Sequence, residues 1–128
     1  MSHFSNIKTQ IRNLDTLKKT LSQLGIDWQA GPRPVRGYQG QTVTAEVVIP
    51  QSNNYDLGFC WNGQEYELVS DLQYWQQPLS VAGFLQKITQ GYALETVLTE
   101  SAQQGFQVAE QHTQPDGSVR LLVQRWSA

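Results

Sequence analysis

Cysteine and histidine are scarce. The chain has one cysteine, Cys60, and two histidines, His3 and His112. A lone cysteine excludes an intrachain disulfide and cannot build a structural zinc site. Neither histidine has another histidine or the cysteine three or four residues away, so no metal and no cofactor is expected. Charge is scarce too: Asp, Glu, Lys and Arg make up 16% of the residues and the net charge is −2. That balance gives no broad pull toward nucleic acid or an anionic membrane. No apolar run approaches the length of a membrane span, and MSHFSNIKTQIR has no apolar core of signal-peptide length. The glycine patterns of nucleotide-binding loops are missing. No repeat, low-complexity tract or linker appears. The low mean hydropathy of −0.45 comes from amides and hydroxyls rather than charge, so disorder does not explain it. The expectation is one domain over residues 1–128, soluble and cytoplasmic.

Aromatics, by contrast, are concentrated. Residues 55–75, YDLGFCWNGQEYELVSDLQYW, hold Tyr55, Phe59, Trp61, Tyr66, Tyr74 and Trp75. Asn62-Gly63 lies between two alternating runs and predicts a hairpin with a two-residue loop. That loop pairs Trp61 with Gln64, Phe59 with Tyr66 and Leu57 with Leu68 on an apolar face. Cys60 then faces Glu65, and Gly58 faces Glu67, on a solvated polar face. After the hairpin, residues 70–78 follow no clear period yet carry Asp71, Tyr74 and Trp75.

Upstream, residues 2–12 alternate loosely and predict a first strand. Asn13 suits an N-cap, and Leu14, Leu17, Leu21 and Leu24 share one helical face ended by Gly25. Lys18-Lys19 reads as a solvated pair. A short strand is expected over residues 26–30. Residues 31–41, GPRPVRGYQGQ, read as a loop, because two prolines bar it from a sheet interior. Residues 42–49 read as a strand with Val43, Ala45, Val47 and Ile49 on one face. Downstream, Ser80 is a plausible N-cap for a helix over residues 81–104, weakened or broken at Gly91. Residues 106–113 and 118–126 form a second hairpin around Pro115-Asp116-Gly117, pairing Phe106 with Trp126 and Val108 with Gln124. Leu121, Leu122 and Val123 suggest that the last strand is interior. The fold class is therefore α+β: an antiparallel-rich sheet of about six strands with two main helices packed on it.

Chemistry is not obvious. A Cys60 nucleophile lacks a partner that would lower its pKa. Asp71 stands beside aromatics; it would cap turn donors or pair with Arg36. Trp61, Tyr74, Trp75 and Trp126 would either be core or form a hot-spot surface. Stacking of nucleic-acid bases on the sheet is disfavoured by Glu65 and Glu67 at the aromatics' flanks.

The segments MSHFSNIKTQIRNLD, VRGYQGQ, YDLGFCWNGQEYELVSDLQYWQQP, FLQKITQGYA and DGSVRLLVQRW together resemble the conserved chloroplast open-reading-frame thirty-five family of cyanobacteria and algal plastids. The resemblance spans essentially the whole chain. It implies a photosynthetic lineage and a cytoplasmic or stromal location, and it supplies no reaction. It also implies an arginine where this chain has Gly91, so a contact made by that arginine would be missing here. Two functional expectations follow. The first is a non-catalytic accessory or adaptor protein that binds a protein partner through Arg36, Tyr38, Asp71, Tyr74 and Trp75, with no nucleic acid and no membrane span. The alternative is a domain binding a small anion or metabolite, possibly enzymatic, with Arg36, Tyr38, Asp71 and Tyr74 converging on a cavity. Oligomeric state is left open by the sequence.

Overall fold

The computed structural model describes residues 3–125, and the backbone alone at residues 106–110. Seven strands and two long helices follow the order β1 (Phe4–Ile11), α1 (Leu14–Gln23), β2 (Gln29–Arg36), β3 (Thr42–Ile49), β4 (Leu57–Trp61), β5 (Tyr66–Asp71), α2 (Val81–Gln103), β6 (Phe106–Thr113) and β7 (Val119–Arg125). Five strands form an antiparallel sheet in the order β1-β5-β4-β3-β2, and β6-β7 form a separate two-stranded ribbon. The expected α+β class is found. The last strand is not interior, however: Leu122 is 53% exposed and Val123 39%. The ribbon leans on α2 rather than extending the sheet.

Both helices cover one face of the sheet. The leucine face of α1 contributes Leu17 and Leu21, and α2 contributes Phe84 and Ile88; they meet Ile11, Val47, Ile49, Leu57, Phe59 and Leu68. Asn13 caps α1 by accepting from the Thr16 N–H at 3.0 Å. At the other end, Ile26 N–H bonds Leu21 O and Gly25 N–H bonds Ser22 O, with Gly25 at φ 72°. This pair of bonds ends the helix and turns Ile26 back onto the core. Ser80 caps α2 through the Gly83 N–H, and the helix runs through Gly91 without a break. A Cβ at Gly91 would lie 3.0 Å from the Thr20 methyl, so the glycine lets α2 approach α1 closely. Its cost in helix propensity is offset by that packing.

The central hairpin forms with its register shifted by two from the expectation. Trp61 pairs with Tyr66, Phe59 with Leu68 and Gly58 with Val69. Asn62 is not in the centre of the turn. Its N–H bonds Glu65 O, and its side-chain oxygen accepts from the Gln64 and Glu65 N–H groups. The central pair is therefore Gly63-Gln64, with Gly63 at φ 100°. An asparagine that satisfies the turn's donors through its side chain belongs at the turn's edge. Moving the turn by one residue moves the pairing by two, so the faces are conserved. Leu57, Phe59, Tyr66 and Leu68 still enter the core.

Three further expectations are corrected. Residues 31–36 are strand, not loop: β2 runs through Pro32 and Pro34 to Arg36. It is an edge strand with a register shift at Pro32, both of them places in a sheet that tolerate prolines. It begins at Gln29, after Trp28. Second, β3 does not alternate strictly. Val47 and Ile49 face the helices, whereas Ala45 packs with Val35 and Val48 in a second cluster on the other side, joined by Phe4, Val43 and Cys60. The β2 register shifts between Ala30 and Arg33, opposite this change of face. Third, Glu65 and Glu67 do not simply face water; Glu65 accepts from the Gln10 N–H and Glu67 from the Asn6 amide, tying β1 to the hairpin.

The turn of the second hairpin forms as expected, with Gln114 N–H bonded to Ser118 O. Its register holds from Thr113↔Val119 to Glu110↔Leu122, then shifts at Ala109, so that Val108 pairs with Val123 and Phe106 with Arg125. Trp126, expected opposite Phe106, lies outside the described residues.

The sheet is strongly coiled. Although β1 and β2 are opposite edges, a Cβ on Gly37, just beyond β2, would sit 2.4 Å from the Phe4 ring at the start of β1. This coiling brings the end of β2, the start of β1 and the end of β5 to one place, because Phe4 pairs with Asp71.

Candidate functional site

Three tyrosines from distant segments meet there. Tyr38 lies in the turn Tyr38–Gly40 after β2, Tyr55 in the loop before β4, and Tyr74 in the turn Leu72–Tyr74 after β5. Tyr74 stacks on Tyr55 with centroids 4.0 Å apart and planes within 8°. Tyr38 is also near-parallel to Tyr74, at 6.1 Å and 11°. Both spacings fall at or near the range in which aromatic pairs attract. All three rings are half-buried. Burial raises the Tyr55 pKa, and the neighbouring Tyr74 and Asp71 add to the rise. Tyr55 therefore keeps its proton at neutral pH.

Gln51 holds this arrangement. Its side chain is buried, and its Nε2 donates to Tyr55 O at 2.7 Å and to Tyr74 O at 3.1 Å. Its Oε1 accepts from Gln76 N–H at 2.9 Å and Gln77 Nε2 at 3.0 Å. Asn53 Nδ2 adds a second bond to Tyr74 O at 3.0 Å. One amide thus replaces the ladder that residues 72–78 lack, since a buried backbone must find partners somewhere. The sequence singled out neither Gln51 nor Asp56; a glutamine in QSNNYD carries no pattern that marks it as buried.

The five candidate residues fall into different roles. Tyr38 and Tyr74 come together in the stack. Arg36 does not pair with Asp71, as one expectation had it. Its Nε and Nη2 bind both oxygens of the buried Asp56, each at 2.8 Å, and its backbone N–H reaches the same carboxylate at 2.9 Å. A bidentate pair of this kind fixes the guanidinium; with Asp56 as the first cause, the Arg36 pKa is raised. A cavity of about 300 Å³ beside Arg36 is lined by Gln29, Arg33, Pro34, Val48, Pro50 and Asp56. Tyr38, Asp71 and Tyr74 do not line it. Trp75 turns inward, edge-on to Phe84 at 5.1 Å, with its indole N–H on Leu79 O at 2.8 Å. Trp61 is 44% exposed and leans on Tyr66.

Asp71 is 3% exposed. Its Oδ1 accepts from the Gln73 N–H at 3.2 Å, the turn-capping role expected of it. Its Oδ2 is buried and has no hydrogen-bond partner among the described residues.

Cys60 donates to Thr44 O at 3.4 Å, and burial, with Glu46 and Glu67 nearby, pushes its thiol up to about 11. At pH 8 the thiolate fraction is then about 100-fold below that of an ordinary cysteine, two pH units being a factor of 100. Iodoacetamide should modify Cys60 about 100-fold faster in denaturant than in the folded protein at pH 8. In the folded protein the rate should climb tenfold per pH unit past pH 9, and a plateau at pH 9 would contradict the assignment. Among the described residues, no group of three or more His, Cys, Asp and Glu side chains is placed to hold a metal ion, and no helix is long and apolar enough to cross a membrane.

The site is thus a tyrosine face on the coiled sheet of an α+β fold. The chain belongs to the family described as protein of unknown function (DUF1257), whose profile matches residues 20–122. It is 49% identical over 126 residues to the uncharacterized protein ycf35 of Guillardia theta, covering 98% of each chain. It is 45% identical over 126 residues to the protein of the same name in Cyanophora paradoxa, again over 98% of each, and 41% identical over 127 residues to that of Pyropia yezoensis, over 99% of each. No solved structure matches.

Proposed function

We infer that this protein is a non-catalytic accessory or adaptor, acting as a single α+β domain, that binds a protein partner through its tyrosine face. The carrying observation is the stack of Tyr38, Tyr74 and Tyr55, drawn from three separate segments and only partly buried. Tyrosine offers large rigid contact area at low entropic cost and is enriched in binding hot spots. The Gln51 network supports the reading, because a pre-ordered surface loses little freedom on binding. Leu72, 38% exposed in the same turn as Tyr74, adds apolar area. In this reading Tyr38 and Tyr74 touch the partner, while Arg36 and Trp75 hold the surface in shape. The location is the cytoplasm, or the plastid stroma in algal relatives. The anion-binding alternative has weaker support, because Arg36 is already occupied by Asp56.

The test uses Tyr38→Ala, since Arg36 and Trp75 carry structural contacts. Tyr38→Ala should leave the melting temperature within a few degrees. It should reduce recovery of a partner captured by the wild-type protein from native extract by about tenfold or more, the scale of a hot-spot residue. Equal recovery with both proteins rejects the tyrosine face as the binding surface.

A further inference from the structure

We propose that the tyrosine face receives an arginine side chain of the partner, with Asp71 as its counter-charge; this rests on the protein-binding reading above. Two independent observations lead there. The first is a carboxylate without a match. Asp71 is 3% exposed, Oδ1 is taken by Gln73, and Oδ2 has no partner among the described residues. The cation expected beside it, Arg36, is held by Asp56 along one guanidinium edge, and its Nη1 donates to Asn54 Oδ1. A buried carboxylate oxygen left without a donor is costly, so a donor supplied from outside is strongly favoured.

The second observation is the surroundings. Asp71 caps the turn that carries Tyr74 and helps raise the Tyr55 pKa; Tyr55 stacks on Tyr74, and Tyr38 is stacked with Tyr74 in turn. Aromatic faces attract cations, and a guanidinium both stacks on a ring and donates in its plane to a carboxylate. An ammonium would meet the charge without the stacking. The three rings stand on turns and a loop rather than on strands. In the turn that carries Tyr38, Gln39 has φ 53° and Gly40 φ 75°. A side chain entering from the partner would therefore displace a turn, not a strand.

The probe is N-acetyl-arginine methylamide, with the neutral isostere N-acetyl-citrulline methylamide as its control. Both are titrated at millimolar concentration into the full protein and followed by amide chemical shifts. The arginine probe is expected to shift Tyr38, Asp71 and Tyr74, with at least tenfold tighter binding than citrulline. Asp71→Asn keeps an oxygen for the Gln73 N–H and should abolish that preference. Should Asp71→Asn not fold, the carboxyl carbon of Asp71 in the wild-type protein provides the readout, moving with arginine and not with citrulline. Equal response to the two probes overturns the proposal, as does a preference that survives Asp71→Asn. Partner capture separates the two readings. If capture is lost in Tyr38→Ala but intact in Asp71→Asn, the tyrosine face stands and the arginine pocket falls.

Discussion

Gly31→Ala is expected to lower stability by about 3 kcal/mol, the upper part of the range for overpacking, and to shift the urea midpoint accordingly with little change in slope. A Cβ at Gly31 would lie 2.1 Å from Ala45 O and 2.9 Å from the Glu46 backbone. The obstacle is main chain, which cannot rotate aside as a flexible side-chain end can. The strand would have to lift from β3 at the point where its register shifts. The damage should spread along β2, because Val35 sits fully buried in the second cluster and Arg36 holds Asp56. Hydrogen exchange of amides in residues 42–49 should accelerate more than exchange in α1. A variant with wild-type stability would show that the close approach of β2 to β3 is wrong.

Gln51→Ala should cost about 2–3 kcal/mol, the scale set by leaving buried polar groups unmatched. The substitution removes the donor to Tyr55 O and one of two donors to Tyr74 O, together with the acceptor for Gln76 N–H. Little apolar contact is lost, so the effect should be local. Proteolysis should find a new site within residues 72–79, and the Tyr74–Tyr55 stack should loosen while the β4–β5 pairing persists. Gln51→Glu is the informative partner variant. It keeps the acceptor and loses the donors, so the Gln76 contact should survive while those to Tyr55 and Tyr74 do not. Unchanged proteolysis in Gln51→Ala would remove Gln51 from its place as organiser of the site.

The two substitutions also mark where the sequence could be read and where it could not. Helix signals were local and sufficient. Asn13, Ser80 and Gly25 act through neighbours within four residues, and the leucines of α1 follow a period set by the helix itself. The family resemblance, resting on five segments, holds over 98% of the chain against relatives at 45% and 49% identity. Strand faces were legible in the central hairpin but not in β3, where Ala45 and Val43 pack opposite Val47 and Ile49. The hairpin's register was not legible either. Asn62 can sit inside a turn or at its edge, and both choices keep Leu57, Phe59, Tyr66 and Leu68 on one side. The prolines of residues 31–36 correctly barred a sheet interior, yet an edge strand and a loop share that composition. For the site, Tyr38, Tyr74 and Asp71 stand out in the sequence, whereas Tyr55 is there only one of the segment's aromatics. Gln51 and Asp56 do not stand out, because their importance lies in partners 20 or more residues away, such as Arg36, Tyr74 and Gln76.

The position of the prolines has a consequence for how the molecule is recognised. At one edge of the five-stranded sheet, Pro32 and Pro34 remove two main-chain donors from β2. At the other, β1 carries Lys8 and a register shift with Gln10 at φ 64°. Prolines, lysine and bulges are the features that deter strand addition. Extension of this sheet by a partner's main chain is therefore disfavoured at both edges. Whatever docks on the sheet must be chosen by the side chains it meets, which makes its recognition sensitive to single substitutions in the partner.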